Sequence, residues 1–588
     1  MGLIDRLAAD VTCLKGALRT LKATTPIAKH PTRVFPAVIE DLAERYRDAP
    51  ALLSDRERFN YRELDERSNR YARWALAQGL GKGETICLLM PNRPEFMALW
   101  LGVTRIGGVV ALVNTHLTGP ALAYCINVVH PRHIVVADAL LAQFDTARAL
   151  IASDAKLWLH GEADANLPRI DREVDALPGD RLVDADRRRL TIEDRALYIY
   201  TSGTTGLPKA ANVNHYRLML ASHAFSGVIG ARASDRMYDC LPMYHFAGGV
   251  VATGAMLING GSVVLRERFS AHEFWDDLVR WDCTLFQYIG ELCRYLRNSP
   301  PHPKEREHKL RLACGNGLRP EIWAQFQRRF SIPQIIECYG ATEGNVAMFN
   351  FDGKEGAVGR IPWFVAHRFP TKVVRFDVET QQPVRNEQGF CIECAVDEPG
   401  EVIGKILKDP STPAARFEGY ATQNETDRKI LRDVFQTGDV WFRTGDLMRK
   451  DAAGYFFFVD RIGDTFRWKG ENVSTAEVAE AIARGPGVLD ATAYGVEIPG
   501  ADGRAGMAAL RRHLEGSLPA YARPVFLRVR TELDTTATFK HQKNELVGAG
   551  YDPTTTGDVI YFNDVQRGAF VRLDRALFEA IQSGNVRV

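Results

Sequence analysis

Hydroxyls, glycines and a lysine crowd one short stretch, LYIYTSGTTGLPKAANVNH, Leu197 to His215. Thr201, Ser202, Thr204 and Thr205 alternate with Gly203 and Gly206, and Lys209 follows. A turn needs only one or two residues of special dihedral freedom, so the surplus asks for a chemical reason. The loop supplies bare backbone N–H groups, hydroxyl donors and one cation, an inventory that a polyphosphate satisfies. The order GTTGLPK, Gly203 to Lys209, is not the GxxxxGK[ST] loop of the common nucleotide-binding fold. A flexible Ser/Thr/Gly linker is the plain alternative. The apolar aromatic strand just before it, Leu197 to Tyr200, argues for the phosphate cradle.

Other clusters share this chemistry. ECYGATEGN, Glu337 to Asn345, ends an apolar strand in a glycine-rich loop with Thr342 and Glu343. A carboxylate beside a phosphate loop is the kind of ligand magnesium takes, through one or two carboxylates plus phosphate oxygens. LACGNGLRP, Leu312 to Pro320, puts Gly315, Asn316 and Gly317 after a strand, where bare backbone can approach a flat base. Taken singly, each is also an ordinary strand–turn–helix connection. WFRTGDLMRK, Trp441 to Lys450, is expected to set Asp446 after a tight turn, and a carboxylate there can accept from both hydroxyls of a ribose. DRIGDTFRWKGENVSTAEV, Asp460 to Val478, mixes dense charge with Phe466 and Trp468, and TTATFKHQK, Thr535 to Lys543, is a threonine loop ending in two lysines.

The elements that must position these residues follow from periodicity. TICLLM (Thr85 to Met90) and HIVVAD (His133 to Asp138) read as strands, and Arg93 to Gly108 as a helix ending at glycines. Such alternation gives an α/β fold with largely parallel sheets. The expected division is an amphipathic helix over 1–30, a large layered domain over 31–459 with a β-rich part from Gly359 to Phe458, and a smaller α+β domain over 460–588. At 588 residues the chain exceeds the size at which a single core stops growing. Its net charge of +1 argues against nucleic acid as a partner. The ten cysteines are scattered, which fits a reducing cytosol. Cys391 and Cys394 have no second pair to complete a zinc site and read as strand residues. Met1 to Lys22 shows no secretory leader. The uncharged run Phe246 to Leu265 approaches the length of a membrane span, but NGG at Asn259 to Gly261 splits it into a helix and a strand. Leu3, Leu7, Val11, Leu14, Leu18 and Leu21 form a helical stripe with Arg6, Lys15, Arg19 and Lys22 interleaved. That stripe serves either an anionic bilayer surface or docking on the protein's own body.

TSGTTGLPK, YGATEG, RTGDL, DRIGDTFRWKGENV and TTATFK, in this order, resemble the adenylate-forming acyl-CoA synthetases. QYIGELCRYL (Gln287 to Leu296), LACGNGLRPEIW and GDTFRWKGENVSTAEV resemble its fatty acid transport protein, or very-long-chain acyl-CoA synthetase, branch. The resemblance runs from about Phe35 onward. It implies an ATP-dependent ligase that joins a long or very long fatty acid to coenzyme A through an acyl-adenylate, with Mg²⁺. Residue by residue, it implies that Thr201 to Lys209 wraps the β- and γ-phosphates. Tyr339, in the loop with Gly340 and Ala341, stacks on adenine beside Gly315 to Gly317. Thr342 meets the α-phosphate, and Glu343 holds Mg²⁺. Asp446 and Arg461 grip the ribose, and Lys540 is the catalytic lysine of a small domain that rotates about Gly463. His245 of LPMYH borders the acyl tunnel, where Gly248, Gly249 and Gly254 leave room for a chain or pack a helix closely. The chain departs from the family after Ala509, where a strand end and a helix start are missing. The readings left open are an acyl-AMP ligase serving a carrier protein, a ligase for bile acids or carnitine-like acids, and a membrane-associated uptake protein. A cytoplasmic protein, peripheral on the inner face of the membrane, and a homodimer complete the expectations.

Overall fold

The computed structural model describes residues 3–588 apart from 164–165, 203–207, 367–368, 408–414, 464, 469–470, 484–490, 498–503, 508–523, 531–532, 534–542, 565–566, 568, 584–585 and 587–588. The chain forms two compact units: residues 1–370 with 404–431, and residues 371–403 with 432–588. Residues 371–403 and 432–459, read from sequence as the β-rich part of the large domain, cluster with the C-terminal residues in this division.

The first unit is the expected α/β body of layered sheets and helices. One six-stranded sheet runs in the order Lys156–His160, His133–Ala137, Thr85–Leu89, Val109–Leu112, Arg195–Ser202, Pro208–Asn214. Its first five strands are parallel; the last closes an antiparallel hairpin. The strands Thr85–Leu89, Val109–Leu112 and His133–Ala137 are buried throughout, the mark of a sheet covered on both faces. The helix expected over Arg93 to Gly108 forms over Pro94–Arg105, with proline at its start. An eight-stranded sheet carries, at one end, the neighbouring strands Leu285–Ile289, Leu312–Asn316, Ile335–Gly340 and Ala347–Asn350. The run Phe246 to Leu265 is split as expected, with Gly260 at φ +78°, but its first part is a π-helix, Phe246–Gly254. Among the described residues no helix is long and apolar enough to cross a membrane.

The N-terminal helix, Leu3–Lys29, docks on the helix His215–Ile229. Arg19 donates from Nε to Gly227 O at 3.1 Å and from Nη2 to Val228 O at 3.2 Å. A Cβ on Gly227 would sit 2.7 Å from Thr20 Cα, so glycine lets the two backbones meet. Asp10 pairs with Arg360 at 2.7 Å. The docked face is not the leucine stripe. Ala9, Cys13 and Ile27 are buried, whereas Leu7, Val11 and Leu18 are 57%, 50% and 56% exposed. The helix packs on the body through one face and presents Leu7, Leu14, Leu18 and Leu21 outward through another.

In the second unit, Val440–Lys450 pairs antiparallel with Tyr455–Arg461. A five-stranded sheet follows: Tyr494–Glu497, Arg504–Met507, Phe526–Val529, Val559–Asp564, Ala569–Arg572. Phe526 is fully buried at its centre, stacked on Tyr551 at 4.2 Å. Cys391 and Cys394 lie in a stretch of isolated bridges rather than in a continuous strand, because Val374↔Glu393 and Arg385↔Cys391 are single pairings. All ten cysteines are free thiols. The departure after Ala509 lies outside the described residues.

Candidate functional site

The antiparallel hairpin Arg195–Ser202 with Pro208–Asn214 brings Thr201 opposite Lys209, and Ser202 opposite Pro208. Gly203, Thr204, Thr205 and Gly206 lie outside the described residues. Lys209 is only 5% exposed. Its Nζ lies 5.9 Å from the Tyr420 ring centroid, and among the described residues no carboxylate pairs with it. A buried ammonium is costly without a counter-charge, so the mouth of this hairpin suits an anion.

Tyr420 links the hairpin to the second predicted loop. Its backbone bridges Ala211, and the Asn212 side chain donates to Glu418 O at 3.0 Å and Tyr420 O at 2.9 Å. The Tyr420 hydroxyl donates to Glu343 Oε1 at 2.5 Å. Burial, and then the charge of Glu343, push this phenol above its usual range. Glu343 is itself buried, while Ala341 and Thr342 are half-buried. The loop 341–344 is clamped from below by Arg217. Its Nη2 donates to Ala341 O at 2.9 Å and also to Gly344 O, and its Nε donates to Thr342 O. Tyr420 and Arg217 were missed by sequence reasoning. Tyr420 stands in a turn-rich stretch, RFEGYAT, with no periodicity to mark it, and Arg217 lies in a helix that needs no charge there.

The donor set suits magnesium of one kind. Among the described residues no group of three His, Cys, Asp or Glu side chains could cage a metal. Glu343 offers a single carboxylate beside a phosphate-type loop, which fits a magnesium ion that brings its remaining oxygens with a polyphosphate.

The third loop is built by close backbone packing. Gly315 and Gly290 permit it: a Cβ on Gly315 would lie 2.1 Å from Tyr288 O, and one on Gly290 would lie 1.7 Å from Gly317 O. Gly317 takes φ +81°. Glu337, 2% exposed, holds this loop. It accepts from the Gly317 amide, from the Leu318 amide at 3.1 Å and from the Tyr288 hydroxyl at 2.6 Å. Asn316 is exposed and Tyr339 half-buried, with Gly340 exposed at the strand end. Burial raises the Glu337 carboxyl from 4.5 to about 8, and the three donors oppose the shift. The folded state therefore binds this proton where the unfolded chain has lost it, and stability declines as pH rises from about 4.5 to about 8. Glu337→Gln keeps the shape without the ionisation. Its melting temperature relative to the native chain is expected to climb between pH 5 and 8, as the native chain alone loses stability. A difference that stays constant over that range in thermal melts refutes the assignment.

At the LPMYH segment His245 is half-buried, its ring 4.6 Å from that of Tyr244. The π-helix begins at the next residue, and such helices often occur at functional sites. Gly248 and Gly249 meet backbone rather than open space. Their Cβ atoms would lie 2.6 Å from Pro242 O and 2.2 Å from Met243 O, and one on Gly254 would lie 2.3 Å from Ser222 Oγ. Close packing accounts for these glycines.

In the second unit Asp446 lies inside the strand Val440–Lys450, not after a tight turn. Gly445 at φ +80° and a register shift between Leu447 and Met448 deform the strand there. Arg461 is its direct cross-strand partner, and their side chains pair at 3.4 Å. The two residues that the resemblance assigns to one sugar thus stand side by side. Gly463 has φ +95°, and a Cβ added there would meet nothing within 4 Å, so conformation, not space, calls for glycine. Lys540 and its threonine loop lie outside the described residues.

Residues 39–403 match the family described as "AMP-binding enzyme". The chain is 39% identical over 574 residues to long-chain fatty acid transport protein 1 of Mus musculus, covering 94% of this chain and 88% of that protein. It is 42% identical over 540 residues to long-chain fatty acid transport protein 3 of the same species, covering 88% and 79%. The fold resembles that of an anthranilate CoA ligase solved in complex with anthranoyl-AMP. The TM-score is 0.74 at 21% identity, over 88% of this chain and 97% of that one.

Proposed function

Because the chain belongs to the AMP-binding enzymes and, within them, to the long-chain fatty acid transport protein family, we propose that it is an ATP-dependent ligase for long or very long fatty acids. The observation that carries this reading is the Tyr420 junction, which ties the Thr201–Lys209 hairpin to the loop of Thr342 and Glu343. Lys209 and the hairpin hydroxyls receive the β- and γ-phosphates, and Thr342 receives the α-phosphate. Gly315 to Gly317 and Tyr339 bound the base, and Asp446 with Arg461 takes the ribose hydroxyls. Glu343 would hold magnesium, which supplies positive charge to the phosphate oxygens when bound. Carboxylate and triphosphate repel, so adenylation needs cations between them. Lys540 supplies one as the carboxylate oxygen attacks the α-phosphorus and pyrophosphate leaves. The coenzyme A thiol then attacks the acyl carbon of the mixed anhydride, and AMP departs. Between the steps, residues 460–588 rotate about Gly463, whose positive φ needs no side-chain compromise.

The outward leucine stripe supports peripheral contact with the anionic, cytoplasmic leaflet of a membrane, with Arg6, Lys15 and Lys22 alongside it. Trp363, 86% exposed, is three residues from Arg360, the partner of Asp10 on that helix. An indole is well suited to a headgroup interface.

One experiment tests substrate and surface together. The full chain and a form lacking residues 1–29 receive oleate or tetracosanoate, ATP, Mg²⁺ and coenzyme A, with phosphatidylserine-containing vesicles. Acyl-CoA and AMP in equal amounts by mass spectrometry are expected from both. Only the full chain is expected to sediment with vesicles. Acyl-AMP that reacts with a carrier protein but not with coenzyme A would replace the ligase reading. Equal sedimentation of both forms would remove the helix from membrane contact.

A further inference from the structure

We propose that Arg217 is a positioning residue that aims the Thr342 and Glu343 amides at the α-phosphate; this rests on the nucleotide reading above. Arg217 lies in the first turn of the helix His215–Ile229, where its own amide donates to the Asn214 cap at 2.9 Å. Its guanidinium serves the carbonyls of Ala341, Thr342 and Gly344, and among the described residues it pairs with no carboxylate. Its hydrogen bonds all go to neutral carbonyls, with the Glu343 and Glu418 charges nearby, and so fix how those peptides face.

A trans peptide carries its C=O and N–H on opposite sides. With the Ala341 and Thr342 carbonyls turned to Arg217, the Thr342 and Glu343 N–H groups point away from it. Among the described residues neither amide donates to any protein acceptor, although the next one, Gly344 N, bonds Ala341 O at 3.3 Å. Successive amides without acceptors form an anion-receiving concavity, and a cation on the carbonyls polarises those peptides into stronger donors. The Phe246 ring lies 5.9 Å from the guanidinium carbon. Since Phe246 opens the π-helix after His245, one side chain touches both the phosphate loop and the segment assigned to the acyl chain.

The test compares AMP with adenosine, which differ only in the phosphate that these amides would hold. In calorimetry the native chain should bind AMP more tightly than adenosine. Arg217→Ala should lose roughly tenfold or more in AMP affinity, with adenosine affinity unchanged, and ATP–pyrophosphate exchange should fall roughly 10²-fold. Added guanidinium ion should restore part of the AMP affinity. Arg217→Lys, which keeps the charge but not the planar fork, should show the same selective loss. It also covers the case in which the alanine variant fails to fold. Equal weakening of AMP and adenosine, or no weakening of either, would make Arg217 a packing residue and overturn the proposal. A native chain that binds AMP no better than adenosine would overturn the nucleotide reading itself, before any variant is made.

Discussion

With Lys540 replaced by alanine, acyl-adenylate formation from fatty acid and ATP is expected to fall by roughly 10²- to 10³-fold, the usual loss of a charge aimed at a transition state. Conversion of prepared acyl-adenylate and coenzyme A to thioester should continue at the native rate. The asymmetry follows from where the charge acts. Adenylation brings a carboxylate onto an anionic phosphate, so a lysine cation matters most while charge redistributes between them, and little in ground-state binding. Thioester formation releases AMP from a carbon centre and needs no such bridge. Because Lys540 belongs to the segment proposed to rotate, its cation is required in one conformation only. The half-reactions are to be timed separately by rapid quench, with the fold checked by circular dichroism. Equal loss in both would make Lys540 a structural residue, and loss in neither would move the role to another cation, with Lys543 the nearest choice.

The second large effect is expected at Glu343. Glu343→Gln keeps an oxygen for the Tyr420 hydroxyl but removes the charge that a hard cation prefers. Substituting even an outer partner of a metal ligand costs roughly 10- to 100-fold in metal affinity, and a direct ligand should cost at least that. The Mg²⁺ concentration needed for half-maximal ATP binding, measured by calorimetry without acid substrate, should therefore rise by that factor. Metal-free AMP binding should stay unchanged. An unmoved Mg²⁺ titration would place the metal on other oxygens and leave Glu343 as the acceptor that Tyr420 needs.

The loops proposed to do chemistry stand out in the sequence because they break local rules. TSGTTG carries more hydroxyls than a turn uses, and YGATEG puts a carboxylate where a strand ends. The layered body was legible from short continuous apolar runs such as Thr85–Leu89, alternating along the chain with helical stretches. What stayed hidden depends on partners distant in the chain. Arg217 and Tyr420 carry no signal until folding sets them against residues 341–344. Asp446 looked like a turn residue because glycine precedes it, yet Gly445 deforms a strand that continues through it. The N-terminal stripe illustrates a further limit. Its period predicts a helix correctly, but the face that docks is the one with Ala9, Cys13 and the Gly227 contact, where small residues permit approach. Periodicity finds the apolar face and does not say which face meets the body.

The placement of Tyr420 has a consequence for the order of events on the ribosome. Its segment, Gly404–Leu431, belongs to the first unit, while the preceding Thr371–Ile403 belongs to the second. Synthesis is vectorial, and domains tend to fold as they emerge. Here the first unit cannot tie the Arg195–Asn214 hairpin to Glu343 through Tyr420 when residue 370 appears. It must wait for Tyr420, about fifty residues later, roughly 2.5–10 seconds at typical elongation rates. The nascent chain thus spends that interval with Glu343 and Lys209 unbridged by Tyr420, and the site proposed for the nucleotide is completed late.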